Sequence, residues 1–145
     1  MIILYRPEGA DEQQFDVRSV RTSEAQIVAR TTDMTWTEIK AGIRDDDPTA
    51  LRGIAWVLLK RQNPTLRWSE FDPLIGDLVT RFDDREVDEF VHDLLRLPEE
   101  RQPRAIEELR YYAASPDYVD IALKAAAEPP KGDSAQTSTP DAAST

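Results

Sequence analysis

Apolar and polar residues recur along this chain with the period of short helices, and the strongest pattern lies in residues 47–68. Asp47 can cap a helix N-terminus and Pro48 suits the first helical position, whereas Pro64 prevents the helix from continuing. These signals predict one helix of about 15 residues. One face of this helix is apolar, which predicts that it packs in the core; the face comprises Leu51, Ile54, Ala55 and Leu58.

A second side of the same helix carries a basic and aromatic edge. Trp56 falls off the apolar face, on the side that it shares with Arg52 and Lys60, and Arg61 follows in the last turn. Because Trp and Arg are favoured in binding hot spots, these four residues are a candidate partner-binding surface. The alternative is that Trp56 anchors the core and that Arg52 or Lys60 lies over its indole ring.

The N-terminal segments predict a β-hairpin and two shorter helices. Residues 2–5 are apolar and β-prone, and residues 15–20 alternate apolar and polar with period two, so the two segments can pair. Residues 22–32 begin with hydroxyl side chains that can cap a helix. The capping-box pattern at residues 35–38 predicts the start of another helix.

The C-terminal half predicts three further helices and a tail. The first has a complete helical stripe and ends near Pro98; the stripe comprises Val87, Phe90, Val91, Leu94 and Leu95. Gln102-Pro103 and Ser115-Pro116 open the next two helices. Residues 74–79 are apolar but contain Gly76, and their pattern assigns neither helix nor strand.

These elements predict a mainly α (α+β) fold, in which a small bundle of short helices carries an N-terminal β-hairpin. We expect a single domain over residues 1–127, with a core over 1–97 and a helical extension over 98–127. Residues 128–145 are rich in Pro, Ser, Thr, Ala and Asp and predict a disordered tail, because they cannot bury enough apolar surface to order themselves.

Composition narrows the classes of function. The 145 residues carry a formal net charge of −10, which disfavours binding to a phosphate backbone. The chain has no cysteine and one histidine, so disulfides, thiol catalysis and His-rich metal clusters are excluded. The first residues lack the features of a signal peptide, and no apolar run is long enough to span a membrane. We therefore expect a cytosolic protein.

Recognisable catalytic motifs are missing from the sequence. The five glycines are scattered rather than gathered in a phosphate-binding loop, and His92 has no evident catalytic partner. The run Asp45-Asp46-Asp47 lacks the alternation and the glycine of a calcium loop. We expect a non-enzymatic protein with no catalytic residue, no cofactor and no metal site.

Several short motifs follow one another over residues 2–85. They are Tyr5-Arg6-Pro7-Glu8-Gly9, Thr22-Ser23-Glu24-Ala25, Thr35-Trp36-Thr37-Glu38, residues 49–61 and Asn63-Pro64-Thr65-Leu66-Arg67-Trp68. The most specific part is the central helix with the Asn-Pro-Thr-Leu segment that follows it. In order and spacing, this set resembles the tail assembly chaperones of long-tailed phages that infect actinobacteria.

That resemblance implies a binding role. Such chaperones bind the long helical tape measure protein and keep it soluble while the tail tube polymerises around it. The resemblance further implies that the protein acts in the cytoplasm of the bacterial host and is absent from the mature virion. A longer form of the chain made by ribosomal frameshifting, and the tail tube protein, are further partners that it implies.

The sequence is also compatible with two other functions. A small phage structural adaptor, such as a head–tail connector or tail completion protein, would join the particle instead of leaving it. An acidic inhibitor that mimics nucleic acid would also suit the net charge of −10.

Overall fold

The computed structural model describes residues 1–129, which form six α-helices and three β-strands. The strands are β1 (Ile2–Tyr5), β2 (Gln13–Asp16) and β3 (Leu78–Arg81). The helices are α1 (Thr22–Thr32), α2 (Trp36–Arg44), α3 (Pro48–Leu59), α4 (Asp84–Leu94), α5 (Gln102–Tyr112) and α6 (Pro116–Ala127). The mainly α fold with an N-terminal hairpin is confirmed. The predicted disordered tail lies outside the described residues from position 130 onward.

The hairpin belongs to a three-stranded antiparallel sheet in the order β2-β1-β3. Ile3 pairs with Phe15 on one side and with Thr80 on the other. The predicted second strand is shorter than expected and ends at Asp16, whose carboxylate accepts the Arg18 N–H at 2.9 Å and starts a 3₁₀ turn. β3 overlaps the segment that the sequence left unassigned. Its four residues are too few to show the alternation of apolar and polar positions that identifies a strand. Its pairing partner β1 lies far away in the chain, so local sequence does not indicate the pairing.

α3 is the most buried helix of the fold. The Asp47 carboxylate accepts the Ala50 N–H at 2.9 Å, so the predicted cap is confirmed. Burial extends beyond the predicted apolar face and includes Ala50, Leu51, Gly53, Ile54, Ala55, Trp56, Val57 and Leu58. The helix ends sooner than the expected length of about 15 residues, because the chain tightens into i→i+3 hydrogen bonds to the carbonyls of Leu58 and Leu59.

Helices α3 and α1 approach each other closely at Gly53. A Cβ atom at this position would lie 2.7 Å from Val28 Cγ1 and 3.1 Å from Thr32 Cγ2. Both of these atoms belong to β-branched side chains, which have few alternative rotamers in a helix. The glycine therefore permits the packing of the two helices.

We expect the overpacking caused by Gly53→Ala to cost about 1–3 kcal/mol, because the added methyl group forces α1 and α3 apart. A gain of about 1 kcal/mol in helix propensity offsets part of this cost, so the free energy of unfolding should fall by up to about 2 kcal/mol. Urea denaturation measures the difference. Gly76→Ala is the matched control, since no atom lies within 4 Å of a Cβ built there. Equal stability of the two variants would contradict the close approach at Gly53.

The apolar core consists of two clusters. The first lies between the sheet and helices α1, α2 and α3. The second joins α4 to α5 and α6 and contains Val87, Val91, Leu94, Leu109, Ala113, Val119 and Ala122. The predicted extension over 98–127 thus packs on α4, which the sequence had grouped with the core over 1–97. An amphipathic stripe identifies an apolar face but not the element that covers it.

Short polar contacts connect the residues that flank β1 and β3 to the helices of the second cluster. The Phe82 N–H donates to the Tyr112 carbonyl at 2.8 Å, and the Ala114 N–H donates to the Phe82 carbonyl at 2.9 Å. The Met1 amino group pairs with the carboxylates of Asp83 and Glu86. Burial raises the pKa of Asp83, but hydrogen bonds from the Met1 amino group and the Glu86 backbone N–H more than offset this, so the net pKa is lowered.

Candidate binding surfaces

Trp56, the centre of the predicted basic and aromatic edge, lies in the core. Its side chain is 5% exposed, and its Nε1–H donates to the Leu66 carbonyl at 3.1 Å. The indole meets that of Trp68 edge-on, with ring centroids 5.4 Å apart. The Lys60 ammonium lies 4.8 Å from the Trp56 ring. Of the two interpretations open from the sequence, core packing is the one observed, and Trp56 offers almost no surface to a partner in this conformation.

Arg52 also makes internal contacts. Its Nε donates to the Phe71 carbonyl at 2.6 Å, and its Nη2 donates to the Trp68 carbonyl at 2.8 Å. The guanidinium lies 3.9 Å from the centroid of the Trp68 ring, within cation–π range. These contacts of Arg52 therefore stabilise the packing of the segment after Pro64 against α3. Helical periodicity placed Arg52 beside Trp56 but could not show that this segment covers them both.

Arg61 points to another part of the fold. Its Nε donates to Glu24 Oε2 at 2.9 Å, and its Nη2 donates to the Ser19 carbonyl at 2.7 Å. The hydrogen bond from Arg61 holds the pKa of Glu24 below its ordinary value. The structure thus separates Arg61 from Arg52 and Trp56, and partner binding through these residues and Lys60 stays a prediction.

The Glu24–Arg61 pair predicts acid-sensitive stability. Because the pKa of Glu24 is lowered in the folded state, the stabilisation is present above the ordinary value of 4.5 and is lost as pH falls through the folded-state pKa. We expect Glu24→Gln to cost up to about 1 kcal/mol at neutral pH, a value limited by solvent around the half-exposed Arg61. The difference from wild type should shrink in acid. Urea denaturation of both proteins at several pH values tests this prediction. A difference in the free energy of unfolding that does not change with pH would contradict it.

Large apolar side chains are exposed mainly in the second half of the chain. The exposed residues are Leu74, Ile75, Phe90, Leu95, Leu97, Tyr111, Tyr112 and Ile121. Phe90 and Leu95 belong to the apolar helical stripe that the sequence predicts for α4. That stripe is wider than the face that α5 and α6 cover, and its width is the sequence signal that could have indicated a binding surface.

A groove of about 320 Å³ lies between α4 and α5. We call it the α4–α5 groove and define it by Phe82, Phe90, Leu97 and Tyr112, with Asp93 and Glu108 as its two charged residues. The ring of Phe82 lies 4.5 Å from that of Phe90 and 6.2 Å from that of Tyr112, measured between centroids. The aromatic rings thus form a continuous apolar wall.

A second groove, of about 450 Å³, lies between the start of α3, residues 72–75 and β3. Tyr112 lines this groove as well, so the two grooves adjoin. Its charged residues are of both signs and include Asp46, Asp72 and Arg81. This mixture gives the second groove no clear preference for one sign of partner charge.

Within residues 1–129, no group of three His, Asp or Glu side chains could hold a metal ion. His92 is exposed on α4, and its Nε2 lies 3.1 Å from Arg96 Nη2. In the same part of the chain, no helix has the length and apolar character that crossing a membrane requires.

No family model, curated protein or solved structure matches this chain.

Proposed function

We propose that this protein is a phage tail assembly chaperone that binds the tape measure protein and keeps it soluble while the tail tube assembles. The observation that carries the proposal is the α4–α5 groove, an apolar groove exposed on an acidic protein. Exposed apolar patches often mark protein interaction sites. A net charge of −10 would help to keep a complex with an aggregation-prone client dissolved.

The motifs that resemble the chaperone family support the proposal in a different way. Residues 49–61 carry the most specific of them and form the buried helix α3. They therefore determine the scaffold, whereas the α4–α5 groove lies on helices that the motifs hardly reach. The proposed role needs neither a catalytic residue nor a cofactor. It places the protein in the host cytoplasm during assembly and outside the finished virion.

Co-expression tests the proposal directly. The tape measure protein of the same phage is expressed alone, with this chain, or with an unrelated acidic protein of similar size. We expect this chain to raise the soluble fraction of the tape measure protein several-fold, measured by centrifugation and quantitative blotting. An equal rise with the unrelated protein, or no rise with this chain, would contradict a chaperone role.

Mass spectrometry of purified virions separates the chaperone from a structural adaptor. We expect peptides of this chain to be absent or far below the level of the tail proteins. Peptides at a stoichiometric level would overturn the chaperone proposal and favour a head–tail connector or tail completion protein.

A further inference from the structure

The α4–α5 groove is about two helical turns long. Its lining residues on α5 extend from Ala105 to Tyr112, seven residues apart, which corresponds to about 10 Å along the helix axis. The same distance separates positions i and i+7 of a docked helix. Helix-in-groove recognition uses apolar anchors at i, i+3 or i+4, and i+7. The half-exposed rings of Phe90 and Tyr112 are placed to contact such anchors.

The charges of the groove are of one sign. Asp93 on α4 and Glu108 on α5 are its only charged lining residues in the described part of the chain, so each wall carries one carboxylate. Asp93 is 3.9 Å from Arg96, in an exposed pair that contributes little. Glu108 takes part in none of the ion pairs formed among residues 1–129. A bound segment with Lys or Arg beside its apolar face would complement these carboxylates.

Residues 130–145 do not supply such a segment. They contain no Leu, Ile, Val, Met or aromatic residue, so they have no large apolar side chain to place between Phe90 and Tyr112. The occupant must bring apolar anchors of its own.

We propose that the α4–α5 groove binds a single amphipathic helix whose apolar face is flanked by Lys or Arg residues. That this helix belongs to the tape measure protein rests on the proposed function. The groove then selects its client segments by two features together, an apolar stripe about two turns long and flanking positive charge. Segments that are acidic, or that lack an apolar helical face, bind weakly.

Designed peptides test the chemistry of the groove. The first peptide is an Ala-based helix that carries Leu at i, i+3, i+4 and i+7 with flanking Lys residues. The second peptide has Glu in place of each Lys. The third peptide has the composition of the first in a scrambled order. Fluorescence anisotropy with the full chain measures their affinities. We expect the Lys peptide to bind at least about tenfold more tightly than the others, a difference of 1.4 kcal/mol. Its affinity should fall as salt is added.

Variants of the groove residues test whether the Lys peptide binds in the α4–α5 groove. Phe90→Asp and Glu108→Lys should each weaken binding of the Lys peptide about tenfold, and Glu108→Lys should improve binding of the Glu peptide. Ile121→Asp is the matched control, because Ile121 is an exposed apolar residue outside the groove. It should bind as wild type does. Glu108 is exposed, so its replacement tests the site even if Phe90→Asp lowers stability.

The outcomes distinguish this inference from the proposed function. Equal affinity for all three peptides, or unchanged binding by both groove variants, overturns the groove as the site even when wild type keeps the tape measure protein soluble. Tight, charge-selective binding of the Lys peptide without any effect on the tape measure protein supports the groove and overturns its assignment to that client.

Discussion

Trp56→Ala is expected to lower the free energy of unfolding by about 3–5 kcal/mol, the usual cost of truncating a buried aromatic residue. The change removes an indole that is 5% exposed and packs edge-on against Trp68. It also removes the donor for the Leu66 carbonyl. Urea and thermal denaturation measure the loss. For a domain of this size, it corresponds to a fall in Tm of about 10 °C or more.

Trp56→Phe separates the two contributions. It keeps much of the apolar contact but leaves the Leu66 carbonyl without its indole donor, so a smaller loss of about 1–3 kcal/mol is expected. Ile75→Ala is the control for truncating an exposed apolar residue, since Ile75 is 78% exposed. It should change stability by less than about 0.5 kcal/mol. A stable Trp56→Ala protein that no longer binds the tape measure protein would assign Trp56 to a partner contact instead.

Arg52→Met is expected to cost about 2–3 kcal/mol, the second largest effect. Methionine keeps an apolar stem on α3 but cannot donate to the carbonyls of Phe71 and Trp68. Two charge-assisted hydrogen bonds and the stacking on Trp68 are lost together. Arg52→Lys should give an intermediate loss, because a single ammonium does not reproduce the planar fork of a guanidinium.

Arg67→Met is the matched control for removing an arginine. Arg67 has a side chain that is 80% exposed and lies 4.0 Å from Glu70 in an i,i+3 pair. Such a pair is expected to contribute less than about 0.5 kcal/mol. Urea denaturation of the two variants compares a covered arginine with an exposed one. Equal losses in the free energy of unfolding would mean that Arg52 does not stabilise the packing of the segment after Pro64 against α3.

The contrast between Arg52 and Arg67 illustrates what cannot be inferred from local sequence. Both are arginines near a tryptophan, and helical periodicity places Arg52 on the less apolar side of α3. The pattern therefore suggested a free basic edge. The chain after Pro64 folds back over that edge, and only this return converts Arg52 and Trp56 into internal contacts.

The α4–α5 groove shows the converse case. The apolar residues of α4 have perfect helical spacing, which predicts that they share one face. Val87 and Val91 do pack, whereas Phe90 remains 46% exposed. Periodicity reports which residues share a face, but the exposed fraction of each depends on how closely α5 and α6 approach it.

The sequence by itself determined which segments form helices and where those helices begin, because N-capping depends on residues that are neighbours in the chain. The box at Thr35 and Glu38 is an example, with both reciprocal hydrogen bonds formed, at 3.1 and 2.7 Å. The tertiary structure decided the pairing of β3 with β1, the covering of Trp56 and the exposure of Phe90. Each of these depends on segments far apart in the chain, and local side-chain patterns carry little information about which distant segments meet.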